Sequence, residues 1–477
     1  MSNNLDPADW DAFRIFAHEI VDAMIDRQRD RRDGPVWRPV PANVKARIAS
    51  PAPSAPTPSD VLRGELEDLV LPYAVGNTHP RFWGCVHGSG TPGGALAEFV
   101  AAMLNNNCGG RDHGAIYLER AVIDWARGWF GMPATSGGLL VSGSSMANLL
   151  GLAAARQKHG RAIRENGVSG QNLVAYASAQ GHASLAKAME VLGLGREALR
   201  AVAVDSNYRT DLAALRSRIA ADRAAGLKPF AIVATAGTVN TGAFDDLEAI
   251  ADLCASENLW LHVDGAFGSL VKLAPDLAPL AKGVERADSL AFDFHKWLHV
   301  PYDAGCILTR EAGALTEAFG GRPDYLATAG GLAAGEPWPS DYGLELSRGF
   351  RALKIWWTIK EQGTDRLGEA IARNCAQARY LRLCLARYDR IKITAPTPLN
   401  IVCCRYIAPD LDGPALDALN ARIVVELQES GLAAPSTTRL NGRLSIRVCI
   451  ANHRSRDEDF DLLAEAIDAA GARLARP

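Results

Sequence analysis

The chain is predicted to be an α/β protein built on a mostly parallel sheet, with a helical N-terminal segment and a smaller C-terminal α+β unit. Three observations lead there. Between about residues 130 and 310, short apolar runs alternate with amphipathic stretches of helical length. The apolar runs are nearly continuous rather than alternating, the pattern of strands buried on both faces of a sheet. The flanking segments differ in texture: helical spacing and Pro-rich connection before, a long helix and separate strands after.

Residues 8–26 place Trp10, Phe13, Ala17, Ile20, Val21 and Met24 at helical spacing. Pro51, Pro53, Pro56 and Pro58 then exclude helix interior. Ser59 or Asp60 is expected to cap a second short helix running to about Leu69. These first 85 residues hold too little apolar surface for a core of their own, so they are expected to pack on something else. Strands are predicted at Leu139–Val141, Leu173–Ala177, Phe230–Thr235, Leu259–Val263, Ser289–Phe292 and Gly305–Thr309. A helix after Ser142 carries Met146, Leu149, Leu150 and Ala153 on one face, and another spans about His182 to Leu192. From about 345 a long helix through Phe350–Ile359 is followed by strands near 400 and 446 and a helix near 457–470. The expected units are 1–85, 86–355 and 356–477.

Composition narrows the function. The 51 Lys+Arg against 54 Asp+Glu give a net charge of −3, which argues against nucleic-acid and membrane-surface partners. No apolar run approaches the roughly 18 residues of a membrane span. The first residues lack the basic and apolar regions of a signal peptide. Nine cysteines without a Cys-x-x-Cys pair fit a reduced protein. The expectation is a cytoplasmic protein with a small-molecule substrate.

Four local patterns carry chemistry. Lys296, in Asp293-Phe-His-Lys-Trp-Leu-His, lies between two apolar strands. Desolvation there favours the neutral amine, a nucleophile toward aldehydes. A lone lysine more often snorkels to solvent, but this one sits in a polar-aromatic cluster at a strand end. Asp264 ends the strand Leu261-His-Val-Asp and is followed by Gly265 and Ala266. Such a carboxylate is commonly a turn former; it also suits the nitrogen of a protonated heterocycle, with Ala266 small enough to admit a flat ring. Ser142-Gly-Ser-Ser-Met-Ala-Asn precedes a helix, so its free amides and hydroxyls can hold a phosphate, although Ser and Gly cap many helices that bind nothing. His182, just past a strand, is either structural or an imidazole laid on an aromatic ring. Jointly these describe pyridoxal 5'-phosphate, whose pattern is a lysine imine with an acidic partner on the ring nitrogen.

Here the sequence resembles the group II pyridoxal-phosphate-dependent amino-acid decarboxylases, the aromatic-amino-acid, histidine and glutamate decarboxylase group. The resemblance runs from Asp11-Ala-Phe-Arg-Ile-Phe-Ala-His-Glu-Ile-Val-Asp and His79-Pro-Arg-Phe, through His262-Val-Asp-Gly-Ala and Phe294-His-Lys-Trp, to Ser347-Arg-Gly-Phe-Arg-Ala-Leu-Lys-Ile-Trp. It implies an aspartate-aminotransferase-like fold with a seven-stranded large-domain sheet. It also implies a homodimer in which the N-terminal helices wrap the partner subunit. The implied reaction is removal of the α-carboxylate of an L-amino acid to give an amine, through a Lys296 aldimine and a quinonoid carbanion. Lys296, His182 and Asp264 would be catalytic. Ser144 and Ser145 would bind phosphate, with His295 beside it, and Asp293 holds a cofactor-binding position often occupied by Asn. The family's Gly-Thr-Thr segment reads Gly237-Thr-Val-Asn-Thr, so Thr238 or Thr241 would supply the hydroxyl that Val239 lacks.

Two departures stand out. Where relatives with aromatic substrates carry aromatic and aliphatic side chains, an ungapped comparison puts Asn77, Cys85, His87, Asn105 and Asn107, which points to a smaller or more polar substrate. In the loop between about Tyr325 and Ser347, decarboxylases carry a Tyr tied to protonation at Cα. Pro339 is near that place and Tyr342 lies three residues on, with Gly330, Gly331 and Gly335 suited to a moving loop. Oxidative deamination to an aldehyde is therefore the first alternative. An aminotransferase is the second, with Arg447 its candidate carboxylate clamp.

Overall fold

The computed structural model describes residues 4–159, 162–321 and 330–476. Its larger sheet contains β1 (Gly137–Val141), β2 (Leu173–Ser178), β3 (Leu199–Val202), β4 (Lys228–Thr235), β5 (Trp260–Asp264), β6 (Ser289–Asp293) and β7 (Gly305–Thr309). The order is β1-β7-β6-β5-β4-β2-β3. Only β7 runs against its neighbours; the other pairings are parallel. Strands β2, β5, β6 and β7 are buried at every position, as their unbroken apolar runs predict. Strand β3 was not foreseen. It has four residues on a sheet edge, with Arg200 partly solvated, so its pattern does not read as a buried run.

The parallel arrangement brings the carboxyl ends of β4, β5 and β6, and with them Thr235, Asp264 and Asp293, to one edge of the sheet, where α/β proteins gather ligands. The helix Ser144–His159 crosses these strands. Its closeness depends on Gly151, where an added Cβ would meet the His262 ring at 2.6 Å. A similar approach joins β7 to the Ser142–Ser145 turn: a Cβ on Gly305 would lie 2.4 Å from Gly143 Cα.

The smaller sheet contains β8 (Ile391–Ile393), β9 (Ile401–Tyr406), β10 (Ser436–Leu440) and β11 (Arg443–Cys449), in the order β10-β11-β9-β8 and antiparallel throughout. Val402, Cys404, Tyr406, Ile446 and Val448 form its core with the helices Thr364–Leu385, Gly413–Glu429 and Asp457–Leu474. Cys403 and Cys404 are both buried, facing opposite cores.

The first helix spans Trp10–Arg29, and Asp9 caps it by accepting from the Asp11 and Ala12 amides. None of its residues is buried. The second expected helix begins at Ser59, with Pro58 rather than Ser59 or Asp60 at the cap, and ends in a π turn, Leu66–Val70. An unforeseen helix, Ala42–Ile48, interrupts the connector between them. Trp10, Phe13, Ile15 and Ile25 on the first helix are exposed, as are Leu96, Phe99, Val100, Met103 and Leu104 on the helix Pro92–Leu104. That is a large apolar surface for an isolated chain. No helix among the described residues is long and apolar enough to cross a membrane.

Candidate active site

Lys296 sits in a single helical turn, Phe294–Trp297, directly after β6. Its Nζ is 2.9 Å from Asp293 Oδ2. The other Asp293 oxygen accepts the Ser144 amide at 2.6 Å, so one buried carboxylate ties the lysine to the start of the helix Ser144–His159. His295 Nδ1 accepts the Ala304 amide at 3.0 Å, which leaves its hydrogen on Nε2. Burial holds the His295 imidazole below its ordinary range, hence neutral. His87 is held down too, first by burial and then by the Lys296 charge.

Asp264 is fixed from two sides. Its Oδ1 accepts the Ala266 amide and its Oδ2 accepts Asn148 Nδ2–H, both at 3.2 Å. Asn148 also donates to Ser184 Oγ at 3.1 Å, and Ser184 Oγ lies 2.8 Å from His182 Nδ1. The directions of these bonds follow from one end. Trp260 Nε1 can only donate, and it gives its hydrogen to Ser289 Oγ at 2.8 Å. Ser289 lies 2.7 Å from His262 Nδ1 and donates there, so His262 Nε2–H donates to Asn148 Oδ1 at 2.9 Å. Full burial drives the His262 imidazole down to about 3, so it stays neutral and the sense of the chain is fixed. The Asn148 oxygen being taken, its amide hydrogens face Asp264 and Ser184. Ser184 then donates to His182 Nδ1, which also accepts the Ser184 amide at 3.2 Å. The remaining hydrogen of a neutral His182 is on Nε2. Asn148 thus orients both the carboxylate and the imidazole.

Lys296, Asp293, His295, His87, Asp264, Asn148 and His182 line one cavity of about 610 Å³, with His262, Ser289, Trp260 and Ser184 behind its wall. Of the sequence-predicted residues, Lys296, His182, Asp264, Ser144, Ser145, Ala266, Asp293, His295, Cys85 and His87 are on its wall. Arg447 is there too, whereas Thr238, Asn77, Asn105, Asn107 and Tyr342 stand elsewhere in the single chain, each engaged in local structure. Thr238 is fully buried, its hydroxyl 2.9 Å from that of Thr241 and accepting the Ala243 amide; the threonine of this stretch that lines the cavity is Thr235. Asn77 donates to the Gly88 carbonyl. Asn105 ends the helix Pro92–Leu104 in the left-handed region, at φ 49°. Asn107 Oδ1 accepts the amides of Gly109 and Arg348. Tyr342 packs against the cluster that contains Leu139 and Leu150. Tyr325 lies outside the described residues.

Sequence reasoning left Asn148, Thr235, Tyr302, Ser436 and Thr437 without roles, yet all line the cavity. Asn148 was legible in principle, four residues and one helical turn beyond Ser144. Tyr302 completes a ring wall: Phe82 stacks on His87 at 5.6 Å, His87 meets Tyr302 edge-on at 6.1 Å, and Tyr302 lies 4.2 Å from the His295 ring. Arg447, from β11, donates through Nε to the Val239 carbonyl at 2.7 Å and through Nη1 to Cys85 O and Ser436 Oγ. Its Nη2 is buried without a partner.

The donor set fits pyridoxal 5'-phosphate. Ser144 Oγ is buried and unpartnered at the cavity wall, as is Thr235 Oγ1. Hydroxyls and the helix amides collect near Ser142–Ser145, the amine is on Lys296, and a carboxylate held by two donors is at Asp264. That set matches a phosphate, an aldehyde and a protonated ring nitrogen.

The family model described as the pyridoxal-dependent decarboxylase conserved domain matches residues 41–407. The chain is 34% identical over 464 residues to an aromatic-L-amino-acid decarboxylase of Bacillus atrophaeus, covering 96% of this chain and 95% of that one. It is 27% identical to a phenylacetaldehyde synthase of Arabidopsis thaliana, covering 94% and 93%. The crystal structure of Oryza sativa TDC with PLP and tryptamine superimposes with a TM-score of 0.92 at 26% identity, covering 99% of this chain and 100% of that one.

Proposed function

The chain belongs to the pyridoxal-dependent decarboxylase family and is a pyridoxal-phosphate-dependent carboxy-lyase of L-amino acids; from that premise we propose that its substrate is an aromatic L-amino acid, converted to the amine. The rings of His87 and Tyr302 on the cavity that holds Lys296 and Asp264, with Phe82 stacked against His87 from behind, carry the proposal. Edge-on and stacked partners are what an aromatic side chain takes. The polar wall expected from sequence rested on five residues, and within one chain Asn77, Asn105 and Asn107 are away from the cavity. The relatives named above are consistent with this reading.

Pyridoxal phosphate supplies the electron sink for the bonding pair left by the carboxylate. The chain supplies the rest. Lys296 Nζ is the amine that would hold the cofactor's aldehyde carbon, with Asp293 at 2.9 Å to hold the ammonium proton. Asp264, its charge oriented by Asn148 and Ala266, keeps a proton on the ring nitrogen. Ser144 and Ser145 receive the phosphate. His182 would lie over the cofactor ring, its Nε2–H left for the substrate carboxylate, and the Arg447 guanidinium makes the same cavity attractive to an anion.

The loaded enzyme, given a panel of L-amino acids, is expected to release carbon dioxide and equimolar amine fastest from tryptophan, tyrosine, phenylalanine or DOPA. Glutamate or another aliphatic substrate as the best would overturn the proposal. Aldehyde with peroxide would assign the chain to the aldehyde-forming branch, and a requirement for a 2-oxo acid to an aminotransferase. Tyr302→Ala is expected to raise KM for the best substrate about ten-fold, near the upper value of an aromatic pair.

We infer further that two chains associate. The helix Trp10–Arg29 buries nothing in one chain, and the Phe99–Met103 face is apolar and exposed. Phe99→Glu with Met103→Glu is expected to convert a dimer in light scattering to a single chain; a wild-type monomer would refute the dimer. The unpaired thiols, nine in all, fit the proposed cytoplasmic location.

A further inference from the structure

A second cavity of about 740 Å³ lies where the end of the helix Trp10–Arg29 meets the small domain. Six arginines line it, Arg29, Arg31, Arg32, Arg373, Arg454 and Arg456, against two carboxylates, Asp33 and Asp457. That excess is local, since the whole chain is slightly acidic. Two of the six are neutralised: Arg29 by Asp26 and Asp30, and Arg32 by Asp459 at 2.7 Å. Arg31, Arg373, Arg454 and Arg456 form no ion pair among the described residues. The Arg454 guanidinium donates to the carbonyls of Ser89 and Gly90. Arg31 Nε is buried with no hydrogen-bond partner, and so is Gln28 Oε1 beside it. Burial and the neighbouring Arg27 and Arg454 charges bring the Arg31 guanidinium down to about 10, the mark of cations crowded without an anion.

Like charges held together on a concave wall repel, and the arrangement is relieved when an anion enters. Guanidinium groups pair best with planar or tetrahedral oxyanions through paired N–H···O bonds. We propose that this cavity is a binding site for a multiply charged small oxyanion of the phosphate class, separate from the phosphate cradle at Ser142–Ser145. No described residue lines both cavities; Arg454 of this one bonds the Ser89 and Gly90 carbonyls, two and three residues past His87 of the other.

The test is calorimetric titration of pyridoxal-phosphate-loaded enzyme with inorganic pyrophosphate, at constant ionic strength and in a phosphate-free buffer. Loading the cofactor first fills the other phosphate site. One pyrophosphate per chain is expected. Arg373 and Arg456 are exposed at the rim, so replacing them should not unfold the chain. Arg373→Gln with Arg456→Gln is expected to weaken binding at least about ten-fold, with an unchanged thermal midpoint in the absence of anion. Arg373→Lys with Arg456→Lys should retain more of the affinity than the glutamine pair. No saturable heat from the wild type, several weak equivalents per chain, or equal affinity in wild type and the glutamine pair would each overturn the site. So would a wild-type cavity closed by an acidic segment of a second copy, recognised as pyrophosphate binding that appears only on dilution to single chains.

Discussion

Asp264→Asn is expected to lower kcat for amine formation by about 10²- to 10³-fold, the usual cost of removing one oriented charge from a reacting centre. In the proposed assignment it is the carboxylate's charge, not its shape, that would hold a proton on the ring nitrogen. Asn is isosteric and keeps the Ala266 contact, so the fold is expected to be unchanged. The companion variant is Asn148→Leu, which leaves Asp264 in place but removes the amide hydrogens that face Asp264 Oδ2 and Ser184 Oγ. It also strands the His262 Nε2–H that Asn148 accepts, so some loss of stability accompanies it. Its loss of kcat is expected to be about ten-fold, smaller than that of Asp264→Asn, because the charge survives while its orientation does not. Activity alone would not separate a positioning role from loosened packing. The visible absorbance of the loaded protein would, because it reports protonation around the ring: both variants should change its pH dependence. Asn148→Leu with wild-type absorbance at every pH, and a loss explained wholly by a lower thermal midpoint, would reduce Asn148 to a packing residue.

The contrast between these residues shows where sequence is informative. Lys296, Asp264 and Asp293 could be placed because each ends or follows an apolar strand, and parallel strands deliver their carboxyl ends to one edge. Ser144 and Ser145 could be placed because they open a helix. Thr235 also ends a strand, β4, but the Thr238–Thr241 pair downstream offered a closer match to the family segment. Those two hydroxyls satisfy each other instead. Tyr302 and Arg447 reach the cavity from a loop after the Lys296 turn and from the small sheet, and no local period encodes that convergence. The asparagine positions lie off the cavity of the single chain for a related reason. Asn77, Asn105 and Asn107 lie in connections without helical or strand period, where an ungapped comparison has nothing to hold its register. In the structure Asn105 and Asn107 do the ordinary work of asparagine, a left-handed helix end and a backbone turn.

Arg348→Met is expected to cost the chain about 3–5 kcal/mol, the penalty for leaving one member of a buried ion pair uncompensated. Arg348 and Glu119 are 1% and 3% exposed and joined at 2.7 and 3.0 Å. The guanidinium also donates to the carbonyls of Cys108 and Leu140, while Glu119 accepts the Leu140 amide at 3.2 Å. The pair therefore clamps β1 just before the Ser142–Ser145 turn, the wall proposed to receive the phosphate. Two consequences follow. Cofactor retention should fall with stability, since the turn loses its anchor before the sheet melts. Glu119→Leu added to Arg348→Met should be less damaging than Arg348→Met alone, because two apolar groups replace the charge that the single change strands. A chain of this size need not unfold in one step, so the quantity to compare is the midpoint of the first urea transition, with bound pyridoxal phosphate followed in parallel. Midpoints of Arg348→Met and wild type that coincide, or a double variant with the full sum of both losses, would show that the pair does not act as a unit. A first transition that shifts together with cofactor release would locate the weakened element at β1, where the ion pair and the phosphate cradle meet.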